Sequence, residues 1–551
     1  MRDVQLRRLT AAFLILLTAE RSSLADHYPR QPHVDALHYA FRVILNDETS
    51  EILGETTIEL RAVGRPIDEV SLDLASIRDG KGMQVDGVES EGRSLVFQHK
   101  DDRLRIEFGR SVEPGRRVSL VVRYRGRPAA GLLIGPNKHG DRTYFSENWP
   151  DHARQWLPTI DHPSDKATSS MEVEAPSTYQ VVSNGLLEAE TDLGGGRRRT
   201  RWRQDVPIAT WLNALGVAPF AVRHASSEQG IPIQTWVFPQ DRERLIPALE
   251  EPSRRALSLF SEKIGPYPYA KVAGIQAVGF DGGMELAGAI FYGQNSLGSR
   301  GVPALVAHEM AHQWFGDSVT ESDWNEVWLS EGFATFFAHV YAERYEGRDA
   351  YLAGLRRSRP VIFAAERREP DLAVIHEDLA DTKRVLNSLV YQKGAWFLHM
   401  LRVELGDEAF WAGIRKYYAR FRDGNATTND FRAEMESASG LMLERFFDQW
   451  LRRPGSPELE CVWEYDAKAK QLHIELEQKQ ASEPYDLDVT LAIEFSDPEP
   501  TRVETITTNE RKRKTVMALD REPKGIILDP KTELLFKGAV RKRSEASRTD
   551  P

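Results

Sequence analysis

Two histidines four residues apart, His308 and His312, bracket Glu309, which directly follows the first of them. The surrounding run, Val302 to Gly316, has Pro303 in what would be a first turn and apolar residues at helical spacing, which predicts a helix. On a helix, positions four apart share a face, so both imidazoles can reach one ion. Zinc accepts such nitrogens at about 2.0–2.1 Å. Glu309, beside the first ligand, is placed to act on the metal's water as general base rather than to bind the metal. The bland reading is a pair of core or surface histidines with an incidental acid. A third ligand decides against it: eighteen residues separate His312 from Glu331, which lies in the next helical stretch within Trp328 to Ala334. Two His and one Glu, with a fourth position left for water, is the catalytic zinc arrangement.

That pattern, His308-Glu309-x-x-His312 followed after eighteen residues by Glu331, resembles the zinc aminopeptidases of the aminopeptidase N type, gluzincin metallopeptidases that also include the leukotriene epoxide hydrolase. Gly282-Gly283-Met284-Glu285, with Glu285 23 residues before His308, is similar to the family's exopeptidase motif, and Val390-Tyr391-Gln392-Lys393-Gly394 to the segment carrying its transition-state tyrosine. Arg154 to Pro163 and Phe446 to Trp450 also look like family segments, so the resemblance runs in order over roughly residues 30 to 540. It implies a multidomain α+β protein: a concave N-terminal antiparallel β-domain, a thermolysin-like, mostly helical catalytic domain and a C-terminal β-sandwich. Many relatives carry a further large helical domain at the C-terminus, and none is expected here.

The resemblance also implies roles. One zinc per chain would be held by His308, His312 and Glu331, and would polarise the scissile carbonyl. Glu309 would carry the proton from water to the leaving amine. Tyr391 would donate to the developing oxyanion. A free α-ammonium needs a carboxylate in a closed pocket to read it, because a blocked terminus leaves that carboxylate unpaired. Glu285, on the loop Gly282-Gly283-Met284, is the candidate, with Glu147 as a second contact to the amine. One departure stands out: the family's asparagine after this glutamate is Leu286 here. The implied activity is release of the N-terminal residue from peptides. The competing readings are an endopeptidase or epoxide hydrolase using the same metal, against which Glu285 argues, and an inactive scaffold member, against which the intact set of site residues argues.

The elements that must position these residues are legible in outline. From about His33 to Val222, short β-branched runs such as Phe41 to Leu45, Thr56 to Leu60 and Val118 to Val122 alternate with Gly, Pro and Asp turns. This reads as a β-domain over 30–222. Helical spacing then dominates 223–452, over Asp241 to Ile264, Pro303 to Phe315, Trp324 to Tyr345, Ser388 to Leu405, Asp407 to Phe421 and Phe431 to Leu451, with strands near 234–238 and 272–278. Arg453-Pro454-Gly455-Ser456-Pro457 stops that block, and alternation returns over 453–540, where Cys461 sits between Leu459 and Trp463 as a core residue. Residues 541–551 read as a disordered polar tail.

At 551 residues, three domains are expected. The net charge of -11 argues against nucleic acid as a partner. Arg197 to Arg203, after three glycines, reads as an exposed hairpin arm rather than a basic patch. Arg2, Arg7 and Arg8, the apolar run Leu9 to Ala19 and Ser23-Leu24-Ala25 read as a signal peptide over 1–25 cleaved near Ala25, which implies export to the periplasm or beyond. No stable membrane span is expected. A single cysteine excludes an intrachain disulfide. Nothing in the sequence sets an oligomeric state.

Overall fold

The alternating β-branched runs of the first two hundred residues pair into three sheets. The structure, a computed structural model, describes residues 26–543 apart from 228, 299, 377, 378, 380 and 497–499. The expected signal peptide and all but the start of the expected tail lie outside the described residues. That start is structured: the last strand, Lys537–Lys542, reaches two residues into it.

An eight-stranded sheet has the order Leu186–Gly194, Arg197–Ala209, Lys166–Pro176, Val34–Ile44, Ile52–Ala62, Arg117–Arg127, Gly82–Ser90, Arg93–Ser94. Smaller sheets of four and three strands complete the domain. Pairing is antiparallel as expected, except that Val34–Ile44 runs parallel to Lys166–Pro176. The arginine-rich strand forms the predicted hairpin arm. Its charges are taken up by neighbours, Arg199 by Glu174 and Arg201 by Glu188, so no free basic surface results.

The middle block opens with a five-stranded sheet in the order Ala221–Ser226, Pro232–Val237, Val272–Ala277, Ala289–Gly293, Gly283–Met284. The first of these strands begins before residue 223, so it crosses the expected domain boundary. The three inner strands are parallel, and the short edge strand Gly283–Met284 runs antiparallel to Ala289–Gly293. Both faces are buried, which is why the inner strands read as nearly continuous apolar runs. Ile275, Ala277 and Phe291 join the core of the N-terminal domain, whereas Ile233, Val272, Ile290 and Tyr292 join the helical core. The sheet therefore fixes the helical block to the β-domain.

Helices α1 (Arg242–Lys263), α2 (Val302–His312), α3 (Trp328–Glu346), α4 (Arg348–Arg368), α5 (Gly394–Phe421) and α6 (Thr428–Ser439) pack on the other face. The two helical segments expected over 388–421 are both present: the first opens with a π-turn at Leu389–Lys393, and a non-helical Gly406 divides them at the expected break. The stretch expected to be helical over 431–451 is interrupted: Gly440 adopts φ 74°, closing α6 with a left-handed residue. Among the described residues no helix is long and apolar enough to cross a membrane.

Two sheets of four and three strands form the C-terminal domain. Leu459, Cys461 and Trp463 from one and Val489, Leu491 and Ile493 from the other meet in a core continuous with that of the helical block, which makes it a sandwich docked on the helices. No large helical domain follows it among the described residues.

Candidate active site

Helix α2 carries His308, Glu309 and His312 at its C-terminal end and is almost entirely apolar otherwise, so it is buried on nearly all sides. The chain must then turn back sharply to bring α3 alongside. Gly316 makes the turn at φ 115°, and a Cβ there would lie 2.3 Å from Ser330 Oγ. Only glycine fits both the angle and the space. This close return places Glu331, in the first turn of α3, against the two imidazoles. Glu331 Oε2 lies 3.2 Å from His308 Nε2 and 3.3 Å from His312 Nε2, and the two Nε2 atoms are 3.1 Å apart.

These spacings test whether the residues fit a metal. Bonds of 2.0–2.1 Å at tetrahedral angles put ligand atoms about 3.3–3.4 Å apart, and all three observed separations fall close to that. Glu331 Oε2 is buried and has no hydrogen-bond donor of its own. His312 Nδ1 faces the Phe315 carbonyl at 3.2 Å and Ser330 Oγ at 3.0 Å. A proton on Nδ1, donated to that carbonyl, leaves the Nε2 lone pair free for an ion. Glu285 and Glu309 crowd the same point, their carboxylates lying within 4.8 Å of His312. Three buried acids around two imidazoles call for a positive charge, and the donor set of two nitrogens and one oxygen suits zinc.

Electrostatics follow from this crowding. Burial pushes the Glu309 carboxyl well above the usual carboxylate range, and the Glu285 carboxyl upward as well. Burial acts the same way on Glu331 but is outweighed by the two histidines, which hold its carboxyl below that range. Burial also lowers the His308 imidazole.

Tyr391 arrives from the π-turn. Gly332, directly after Glu331, and Gly394 let this turn and α3 approach backbone to backbone. A Cβ on Gly394 would sit 3.0 Å from the Gly332 Cα, and one on Gly332 would sit 3.1 Å from both the Gly394 Cα and the Val390 carbonyl oxygen. That approach lets the Tyr391 hydroxyl donate to Glu331 Oε1 at 2.8 Å. π-Turns are rare in helices and occur frequently at functional sites.

The edge strand supplies the other wall. Gly283 has Glu309 directly against it, since a Cβ there would be 2.4 Å from the Glu309 carboxyl carbon. The glycine makes room for the acid. Glu285 follows, 5% exposed and lining the same cavity. Gln313, next to His312, holds this loop. Its amide nitrogen donates to the Glu285 carbonyl at 2.7 Å and to Asp317 Oδ2 at 2.9 Å. Its oxygen accepts the Gly288 N–H at 2.7 Å and lies 3.1 Å from the Tyr267 hydroxyl. Gln313, Gly332 and Gly394 were not singled out as site residues from the sequence. Their adjacency to His312, Glu331 and the tyrosine segment was the available signal.

A cavity of about 630 Å³ thus gathers Gly282, Gly283, Glu285, His308, Glu309, His312, Glu331 and Tyr391. Two expected residues stand apart. Met284 points away into the packing between sheet and helices, and Glu147 is not among the cavity's lining residues, its carboxylate being engaged by His152 at 3.1 Å. Leu286 is fully buried in the core shared by the sheet and the β-domain. Where the sequence resemblance leads one to expect an asparagine, this chain has an anchor, and burying a leucine there contributes about 1.5–3 kcal/mol.

Residues 250–450 match the family model described as the peptidase family M1 domain, and residues 35–212 the one described as the peptidase M1 N-terminal domain. Similar proteins include a probable aminopeptidase 2 of Sulfurisphaera tokodaii, 27% identical over 70% of this chain and 51% of its own length. The glutamyl aminopeptidase of Sus scrofa is 30% identical over 57% of this chain and 35% of its own. The aminopeptidase N of Lactobacillus helveticus is 25% identical over 80% and 53%. The chain spans about half the length, or less, of the curated relatives it matches.

Proposed function

The chain belongs to peptidase family M1, and from that premise we propose that it is a zinc aminopeptidase releasing the N-terminal residue of peptides. The observation that carries this reading is the meeting, in one cavity, of a zinc-type donor set with a separate buried carboxylate, Glu285. His308, His312 and Glu331 would hold the zinc, which when bound would polarise the scissile carbonyl and acidify water.

The rest is the work of the chain's own groups. Glu309, squeezed between Gly283 and the histidines, accepts a proton from the attacking water and passes it to the departing amine. The Tyr391 hydroxyl, already within reach of Glu331, swings to donate to the oxygen of the scissile carbonyl as charge builds there. Glu285 pairs with the substrate's α-ammonium, and Gln313 keeps that carboxylate at a fixed distance from His312 through the Glu285 backbone. The relatives' printed names, aminopeptidase N and glutamyl aminopeptidase, agree with this reading. Export, with removal of a leader near Ala25, is proposed from the sequence alone.

Metal content and activity measured together on two variants test the assignment. Glu331→Ala is expected to lower both, because it removes a ligand. Glu309→Ala is expected to keep about one zinc per chain and to lose activity by at least ~10³ in kcat. A Glu309→Ala enzyme of near-normal rate would overturn the general-base role.

A further inference from the structure

The cavity does not end at the catalytic residues. Thr335, His339 and Glu346 line it at four, eight and fifteen residues beyond Glu331, marking out one face of α3. At 1.5 Å per residue His339 is about 12 Å from Glu331 along the axis and Glu346 about 22 Å. Ala338 and Ala342 leave this face shallow. The Thr335 hydroxyl is buried and has no partner.

Helix α4 forms the opposite wall. Gly347 alone separates it from α3, and a Cβ on Gly354 would lie 2.6 Å from His339 Nδ1. The two helices therefore form an antiparallel hairpin that crosses at His339 and Gly354. Arg357, one turn further along α4 on the same face, returns toward Thr335, so its base is about 6–12 Å beyond Glu331. It lines the cavity.

Its neighbours in sequence behave differently. Arg356 donates to Thr532 Oγ1, and Arg359 donates to Asp529 and to the Leu534 carbonyl, both tied to the C-terminal sandwich. Among the described residues no acceptor lies within bonding distance of Arg357, which is exposed at the cleft. His339 beside it stays neutral, lowered to about 4 by burial and then by Arg357 itself. The cleft is thus polarised: buried acids at the inner end, one unpaired guanidinium further out, and the acid Glu346 beyond.

An extended chain advances about 3.3–3.6 Å per residue. With the N-terminal ammonium at Glu285 and the scissile carbonyl beside His308, His312 and Glu331, the terminal carboxylate falls at Arg357 when one to three residues follow the cleaved bond. A planar guanidinium suits a carboxylate, with two parallel N–H donors. We infer that Arg357 reads the free α-carboxylate of short peptides, so that the enzyme prefers substrates of about two to four residues with both termini free. This rests on the aminopeptidase reading. Glu346, further out, disfavours a carboxylate placed beyond that length.

The test is kcat/KM for release of the first residue from a tripeptide as its free acid and as its C-terminal amide, on the zinc-loaded enzyme. In the wild type the acid is expected to exceed the amide by about tenfold, mostly through KM, and the ratio is expected to shrink as salt rises. R357Q should bring the ratio close to one and R357E below one, with the amide on the same protein as internal reference. A wild-type ratio of one or less, or a ratio unchanged in R357Q, overturns the inference. The two readings fail separately: equal cleavage of free and N-acetylated peptides ends the aminopeptidase reading, and the acid-to-amide ratio still decides Arg357.

Discussion

The two walls of the catalytic cleft are held by opposite means. On the Tyr391 side, α3 and the π-turn touch through Gly332 and Gly394, and this backbone contact sets where the hydroxyl meets Glu331 Oε1. On the Glu285 side, the loop is braced by the four polar contacts of Gln313, a fully buried side chain. A joint made of backbone contact fails abruptly when a methyl is added, since close-packed backbone cannot yield. A polar brace loses its hold in steps, one hydrogen bond at a time, and passes the loss to whatever it positions.

Substitutions that strike one wall at a time sharpen this contrast. The largest effect is expected from Tyr391→Phe, which deletes the donor without touching the joint: kcat should fall by roughly 10²–10³ with KM nearly constant, as for the loss of one oxyanion donor. Steady-state kinetics on an aminoacyl-arylamide would decide, and a raised KM at constant kcat would instead make Tyr391 a binding residue. Next is Gly394→Ala. Its methyl meets the Gly332 Cα at 3.0 Å and displaces the turn. A loss of about 10–10² in kcat is expected, together with ~1–3 kcal/mol of stability by thermal or denaturant unfolding, while zinc content holds. Wild-type kinetics in this variant would show that the glycine contact does not place Tyr391.

Gln313→Leu should do less to kcat. It removes the donor to Glu285's carbonyl and leaves the Gly288 N–H and Asp317 without partners. The preference for free over blocked N-termini is expected to drop by about tenfold, and Gln313→Asn, with a shorter amide, should recover only part of it. An unaltered preference would mean that Glu285 holds its place without the brace.

The contrast also explains what could be read in advance. The zinc-type set was legible because helical spacing converts directly into a shared face: His308 and His312 need only α2 to meet, and a short glycine turn brings Glu331 to them. The outline of the three domains followed from alternation and helical period, and the break at Gly406 fell where the pattern lapsed. Helix α4 was not marked as an element. Gly354 and Pro360 interrupt its pattern, and packing against α3 and the π-turn overrides them. The helical spacing over 431–451 hid the stop at Gly440, whose left-handed backbone no periodicity reveals. The roles of Gln313, Gly332 and Gly394 depend on distances between segments far apart in the chain. Glu147 rested on the family resemblance, and its partner His152 is a tertiary fact. Leu286 looked like a change of chemistry beside Glu285, yet its side chain belongs to the core behind the sheet.

The central claim is that this zinc-type site reads a free amine through Glu285. The most direct test is kcat/KM on a matched pair of peptides, one with a free N-terminus and one N-acetylated, for the wild type and Glu285→Ala. A charge-assisted bond to a buried carboxylate is worth about 1.5–3 kcal/mol. The wild type is therefore expected to favour the free peptide by at least about tenfold, and Glu285→Ala to lose at least tenfold on that peptide with a much smaller change on the acetylated one. A wild type that cleaves both equally well, or a Glu285→Ala variant that keeps the full preference, would contradict it.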